Sequence, residues 1–169
     1  MQRRLEPELM NGDAQVQAYA VADFSSGDQA TIEAIQRLLS RTSPLPPDPL
    51  VVDLGCGPGN ITLRLAGLFP KARIIGIDGA ESMLAVARER AQQQQQQEIS
   101  FLCQTLQEVL RGALLEQADL IVSNSLLHHL HQPDLLWMVT RDLAAPGCRT
   151  LHRDLRRPAS DAEIQQLLL

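Results

Sequence analysis

The chain contains no run of the roughly 20 apolar residues that a membrane helix requires. Its polar start, Met1-Gln2-Arg3-Arg4-Leu5-Glu6-Pro7-Glu8, lacks the apolar core of a signal peptide. No spanning segment and no membrane partner are expected, and the default location is the cytoplasm. Basic charge is scarce as well, with 15 Lys and Arg against 20 Asp and Glu and a net charge of -5. Phosphate binding needs a basic stripe, and the Arg residues are scattered or confined to Arg149, Arg153, Arg156 and Arg157, so a nucleic-acid surface is not expected either. Cys56, Cys103 and Cys148 lie far apart, form no C-x-x-C pair and leave an odd thiol if two bridge, which fits reduced cysteines. No internal repeat is present.

At 169 residues the chain has the length of one domain, large enough to bury roughly 70% of its unfolded surface. Short β-branched apolar runs recur at Leu50–Leu54, Arg73–Ile77, Ile99–Cys103, Asp119–Ser123 and, more weakly, Arg149–Asp154. Helical stretches separate them, which calls for an α/β fold with a parallel sheet covered on both faces. The expected helices are Asp28–Arg41, Ile61–Leu68, Glu81–Gln97 and Pro133–Ala144, with a weaker one over Asp13–Asp23. The Pro-rich segment Ser43–Pro49 is a stiff connector, and the glutamines at 92–97 read as a solvated helix extension. The organisation is therefore a helical lid and linker over 1–49, a core over 50–158 and a C-terminal helix over 159–169.

The run Val51-Val52-Asp53-Leu54-Gly55-Cys56-Gly57-Pro58-Gly59-Asn60 is more informative than any other segment. An apolar strand ends in a carboxylate and then in glycines at alternate positions, a pattern that brings backbone against a bound nucleoside. In a doubly wound sheet the ligand lies beyond the carboxyl ends of the strands, so the residues following each run carry the chemistry. A glycine pair alone fits an ordinary strand-to-helix turn equally well. Asp78 closes the second run, where a carboxylate accepts hydrogen bonds from both ribose hydroxyls of an adenosine. It also suits the N-cap of the helix that begins at Glu81, and the two roles are compatible.

The dinucleotide fingerprint G-x-G-x-x-G would place a third glycine at position 60, where Asn60 stands. The spacing here is D-x-G-x-G-x-G through Gly59, and with it the chain resembles the class I S-adenosylmethionine-dependent methyltransferases. The resemblance runs from Leu50 to Pro158. It includes Gly76-Ile77-Asp78-Gly79-Ala80-Glu81-Ser82-Met83-Leu84, the fourth-strand segment Ala118–Leu130, and Ala145-Pro146-Gly147-Cys148 in place of an L-x-P-G-G turn. It implies a Rossmann-like, doubly wound parallel sheet of order 3-2-1-4-5, S-adenosyl-L-methionine as cofactor, and methyl transfer to a small-molecule acceptor.

On this resemblance Asp53, Gly55, Cys56, Gly57 and Gly59 surround the methionine moiety and Asp78 holds the ribose. Gly79 and Met83 lie near the adenosine. Ser123, Asn124 and His128 line the wall near the reactive methyl, and Tyr19 either closes over the cofactor or simply packs. A base is required only when the accepting atom carries a proton. His128 is the candidate, with a polar loop over the sheet as the alternative; His129 and His131 stand beside it, and His131 would share its face in a helix. No Cys or acid stands at ligand spacing beside these histidines, so no metal site is expected. Trp137 is expected in the core or the pocket wall.

The chain departs from the family pattern in three places. Gln104 stands where an acid commonly meets the adenine amine, and it hydrogen-bonds the base without charge. Cys148 replaces the second glycine of the turn, which implies strain if that position needs a positive φ. The third departure is that the usual C-terminal antiparallel pair of strands is missing. The Ser160-Asp161-Ala162-Glu163 capping box starts a helix that ends with the chain, so the sequence reads as C-terminally truncated, with the fifth strand an open edge suited to a homodimer. Two rival readings follow: a non-catalytic cofactor-binding remnant, and an NAD(P)-dependent oxidoreductase, which Asn60 and Met83-Leu84 disfavour.

Overall fold

A computed structural model describes residues 8–10, 12, 16, 18, 19, 21–96, 98–113, 116–156 and 160. The expected C-terminal helix, apart from Ser160, and much of the Asp13–Asp23 helix lie outside the described residues. In chain order the elements are α1 (Ser25–Leu39), β1 (Leu50–Leu54), α2 (Asn60–Leu68), β2 (Arg73–Asp78), α3 (Glu81–Gln93) and β3 (Ile99–Cys103). There follow a short α4 (Leu106–Glu108) running into a π-helical turn (Val109–Ala113), then β4 (Ala118–Asn124), α5 (Asp134–Leu143) and β5 (Ala144–Arg153).

All strand pairs are parallel, as the alternating runs require, and the sheet order is β3-β2-β1-β4-β5, as the family resemblance implies. Alternate residues of the central strands feed two cores, as the period of a strand requires. Val52, Leu54, Ile75, Ile77 and Ile121 pack with Leu136 and Val139 of α5. Val51, Ile74, Leu120 and Val122 pack on the other face with Ile32 and Ile35 of α1 and Ile61 and Leu65 of α2. The order reverses between β1 and β4, which opens a crevice at the carboxyl ends of those strands.

Three local expectations are corrected. Helix α3 stops at Gln93 instead of running to residue 97. Gln95 adopts φ 57°, and the amides of Gln95 and Gln96 donate to the carbonyls of Gln92 and Ala91 at 3.1 and 2.9 Å. This is a Schellman closure with glutamine in the left-handed position that glycine usually takes, so the glutamines end the helix. The second correction concerns the segment Ala145–Cys148, where Gly147 carries the positive φ of 82° and Cys148 does not, so the Cys148 side chain brings no backbone strain. That glycine sits within β5, where the register jumps from Ala118↔Ala144 to Leu120↔Arg149, and the bulge extends the strand to ten residues. Third, Trp137 belongs to neither core nor cavity: it is 48% exposed on α5 and meets the His152 ring edge-on at 5.1 Å.

Candidate functional site

An open cavity of about 1120 Å³ occupies the crevice. Its floor is the β1–α2 loop, in which Gly55, Gly57 and Gly59 have φ of 68, 51 and 83°. A Cβ on Gly55 would fall 2.7 Å from Leu126, so the loop needs glycine for contact as well as for conformation. The amides of Gly55 and Cys56 both donate to the Ile77 carbonyl, at 2.8 and 3.0 Å, which ties the loop to the end of β2.

Asp78 completes that tie. Its Oδ2 accepts from the Gly57 amide at 2.9 Å and its Oδ1 from the Ala80 amide at 2.8 Å. The strand-end carboxylate thus serves the glycine loop and the start of α3 together. Burial raises its pKa, against the two amides and the nearby His129. Asp53, 1% exposed, accepts from the Thr62 hydroxyl of α2 at 2.6 Å. Burial pushes its carboxyl up to about 7; the Thr62 bond opposes the rise and the Asp78 charge adds to it.

Of the residues expected at a site, Asp53, Gly55, Cys56 and Gly57 line the cavity from the loop, and Asp78, Gly79 and Met83 from β2 and α3. Gln104 and Tyr19 line it as well. The Gln104 Oε1 is buried without a hydrogen-bond partner among the described residues. Tyr19 stacks against Phe24 at 4.6 Å between ring centres, and burial, with Asp28 and Asp78, raises its phenol.

Gly59, Ser123 and His128 are not in the lining. Gly59 precedes α2, where a Cβ would press on Ala87 of α3 at 3.2 Å. Ser123 is buried, and its hydroxyl bonds His152 Nδ1 at 2.8 Å, which joins β4 to β5. His128 Nδ1 lies 2.7 Å from Asp154 Oδ1, in a turn and not in a helix, so it does not share a helical face with His131; its neighbour His129 reaches the cavity.

Outside the sequence expectations stand Asp28, Asn60, Leu126 and the segment Glu8-Leu9-Met10, all on the cavity wall. Leu9 covers the Asp78–Gly79 turn so closely that a Cβ on Gly79 would lie 2.5 Å from it. Glu8 accepts from the His131 amide at 2.5 Å. The local signal at Thr105 is a T-x-x-E capping box, in which Glu108 Oε2 accepts from the Thr105 amide at 2.7 Å. The described residues hold no cluster of His, Cys, Asp or Glu able to bind a metal, and no helix among them is long and apolar enough to cross a membrane.

A family model described as a methyltransferase domain matches residues 51–147. The chain is 44% identical over 115 residues to a trans-aconitate 2-methyltransferase of Variovorax paradoxus, a match that covers 66% of this chain and 40% of the relative. It is 34% identical over 129 residues to a malonyl-[acyl-carrier protein] O-methyltransferase of Bacillus anthracis, covering 68% of this chain and 45% of that one. The chain thus spans less than half the length of these relatives. Among solved structures, magnesium protoporphyrin IX methyltransferase from Synechocystis PCC 6803, determined with bound S-adenosylmethionine, superposes with a TM-score of 0.60 at 19% identity, over 85% of this chain and 74% of that one. At that identity the likeness establishes the fold alone.

Proposed function

The chain belongs to the methyltransferase-domain family, and from that premise we propose that it binds S-adenosyl-L-methionine in the β1–β4 crevice and transfers the methyl group to a small-molecule acceptor. The observation that carries this reading is the bond from the Gly57 amide to Asp78. It turns a loop amide toward the chain's own carboxylate, and the Gly55 and Cys56 amides are likewise spent on Ile77. A dinucleotide pyrophosphate needs such amides facing outward.

Charge supports the same choice. Asp28, Asp53 and Asp78 line the cavity, and no Lys or Arg stands among the described lining residues. At ~4 Å and an effective dielectric near 20, each unit charge meets another with about 4 kcal/mol. A sulfonium with an ammonium group is favoured there and a pyrophosphate is repelled. When bound, the cofactor supplies an already activated methyl group, and the protein's task is to position the two partners.

In this reading Asp78 accepts from the ribose hydroxyls with the lone pairs its amide donors leave open. Gly79 and Met83 adjoin the adenosine, and the unpaired Gln104 oxygen accepts from the base amine. Asp53, Gly55, Cys56 and Gly57 adjoin the methionine portion, while Gly59 and Ser123 brace the loop and strand from behind. Tyr19, with Leu9 and Met10, covers the site, in a chain organised as a lid and linker over 1–49 and a core over 50–158. Where the accepting atom carries a proton, the base comes from the histidine turn after β4, in which Asp154 holds His128 outside the lining and His129 faces the cavity. The reading includes a cytoplasmic location, no membrane or nucleic-acid partner, and a homodimer through the β5 edge. The last is supported by the position of β5 at the end of the described sheet and by the exposed Trp137 and Met138 on the adjoining α5.

Calorimetric titration with S-adenosylhomocysteine and with nicotinamide dinucleotides tests the cofactor. Binding of the first and not the second is expected, and the reverse overturns the proposal. Transfer of a labelled methyl group is then assayed on trans-aconitate, the acceptor named for one relative, and on fractionated metabolites. Cofactor binding without transfer to any fraction would favour the non-catalytic reading.

A further inference from the structure

We propose that Asp28, in the first turn of α1, binds the ammonium group of the donor's amino-acid portion. The inference rests on the cofactor reading above and adds a residue far from the glycine motif.

Asp28 is 6% exposed and lines the cavity. A carboxylate so removed from water requires a cation or several donors, and those present reach it incompletely. Arg64 Nε stands 3.9 Å from its Oδ2, beyond hydrogen-bond length. Arg153 spends Nη1 on the Gly27 carbonyl at 2.7 Å and the Thr31 hydroxyl at 2.9 Å. Asn60 Oδ1 accepts from Arg90 Nη1 at 2.7 Å, which leaves its amide NH₂ as the one side-chain donor to Asp28 among the described residues. Burial still raises the Asp28 carboxyl against the combined pull of Arg64, Asn60 and Arg153.

The position of Asp28 follows from the strand order. Asp78 ends β2 and Gln104 follows β3, on one side of β1. Thr31, three residues after Asp28, donates to Asn124 Oδ1 at 2.9 Å at the end of β4, on the other side. A ligand with its nucleoside over β2 and β3 therefore carries its far end toward Asp28. A carboxylate there is matched by ammonium.

The test compares S-adenosylhomocysteine with its deaminated analogue, in which hydrogen replaces the amino group, by calorimetry on wild type, Asp28→Asn and Asp78→Ala. Loss of a buried charge-assisted hydrogen bond weakens binding by about tenfold to a hundredfold. Asp28→Asn is expected to weaken S-adenosylhomocysteine by that factor and to leave the analogue unchanged, while Asp78→Ala weakens both. Thermal unfolding checks each variant, and Asp28→Ser repeats the measurement if the amide variant does not fold. Equal effects of Asp28→Asn on the two ligands, or no effect on either, overturn the assignment of Asp28 alone. Failure of wild type to bind S-adenosylhomocysteine overturns the cofactor reading and this inference with it.

Discussion

Thr62 Oγ1 donates to Asp53 Oδ2 at 2.6 Å, and both residues are almost wholly buried. The pair fastens the first turn of α2 to the end of β1 beneath the glycine loop, so the loop's shape depends on a carboxyl held away from water. Thr62→Val keeps the volume and removes the donor. The carboxyl is then left short of a partner, at a cost of ~1–3 kcal/mol. Urea unfolding is expected to give a larger loss at pH 8.5 than at pH 5, because the missing bond favours the ionised form.

The Asp53 carboxyl titrates near 7 in the fold against an ordinary value of 3.8. Its protonated form suits the folded state, so the stability it contributes is complete below the unfolded value and is lost as pH rises through about 7. Asp28 and Asp78 shift in the same direction. Asp53→Asn is expected to be more stable than wild type at pH 8.5, by an amount on the order of 4 kcal/mol at most, and to match it near pH 4. A wild-type protein with a flat stability profile between those limits would sink the assignment.

The strands were legible because β-branched runs alternate between two cores, and the loop because aspartate and glycine there have few other uses. What escaped was set by tertiary packing. Asp28 reads locally as an acid at a helix N-terminus, and only the approach of α1 to β4 buries it against the cavity. His128 and His129 are equivalent in sequence, and the turn after β4 sends the second to the cavity and the first to Asp154. The bulge in β5 depends on Gly147, whose positive φ frees Cys148 from the strain that its place in the motif suggested.

Gly79 offers a test of the N-terminal cover. Its φ is not positive, so the constraint is steric: a Cβ would meet Leu9 at 2.5 Å and Thr105 at 3.3 Å. Leu9 is a flexible, 38% exposed side chain that can yield. Gly79→Ala is expected to cost less than about 1 kcal/mol in global stability, yet to speed proteolysis near residue 9. Adding Leu9→Ala should restore the wild-type cleavage rate; unchanged cleavage in the single variant would show that the segment does not depend on this contact.

The chain has one tryptophan, which makes His152 readable by fluorescence. The two rings meet edge-on at 5.1 Å, and His152 is hydrogen-bonded to Ser123 at 2.8 Å and to Thr140 at 3.2 Å. Burial lowers the His152 pKa from 6.5. The neutral ring suits the fold, so its contribution to stability is present above pH 6.5 and is lost as pH falls through the unfolded value toward the folded one. Protonation places a quenching imidazolium beside Trp137. Emission is therefore expected to fall with a midpoint below 6.5, and the step should vanish in His152→Gln. A midpoint at or above 6.5 would mean that the ring is not held neutral by its burial between β4 and α5.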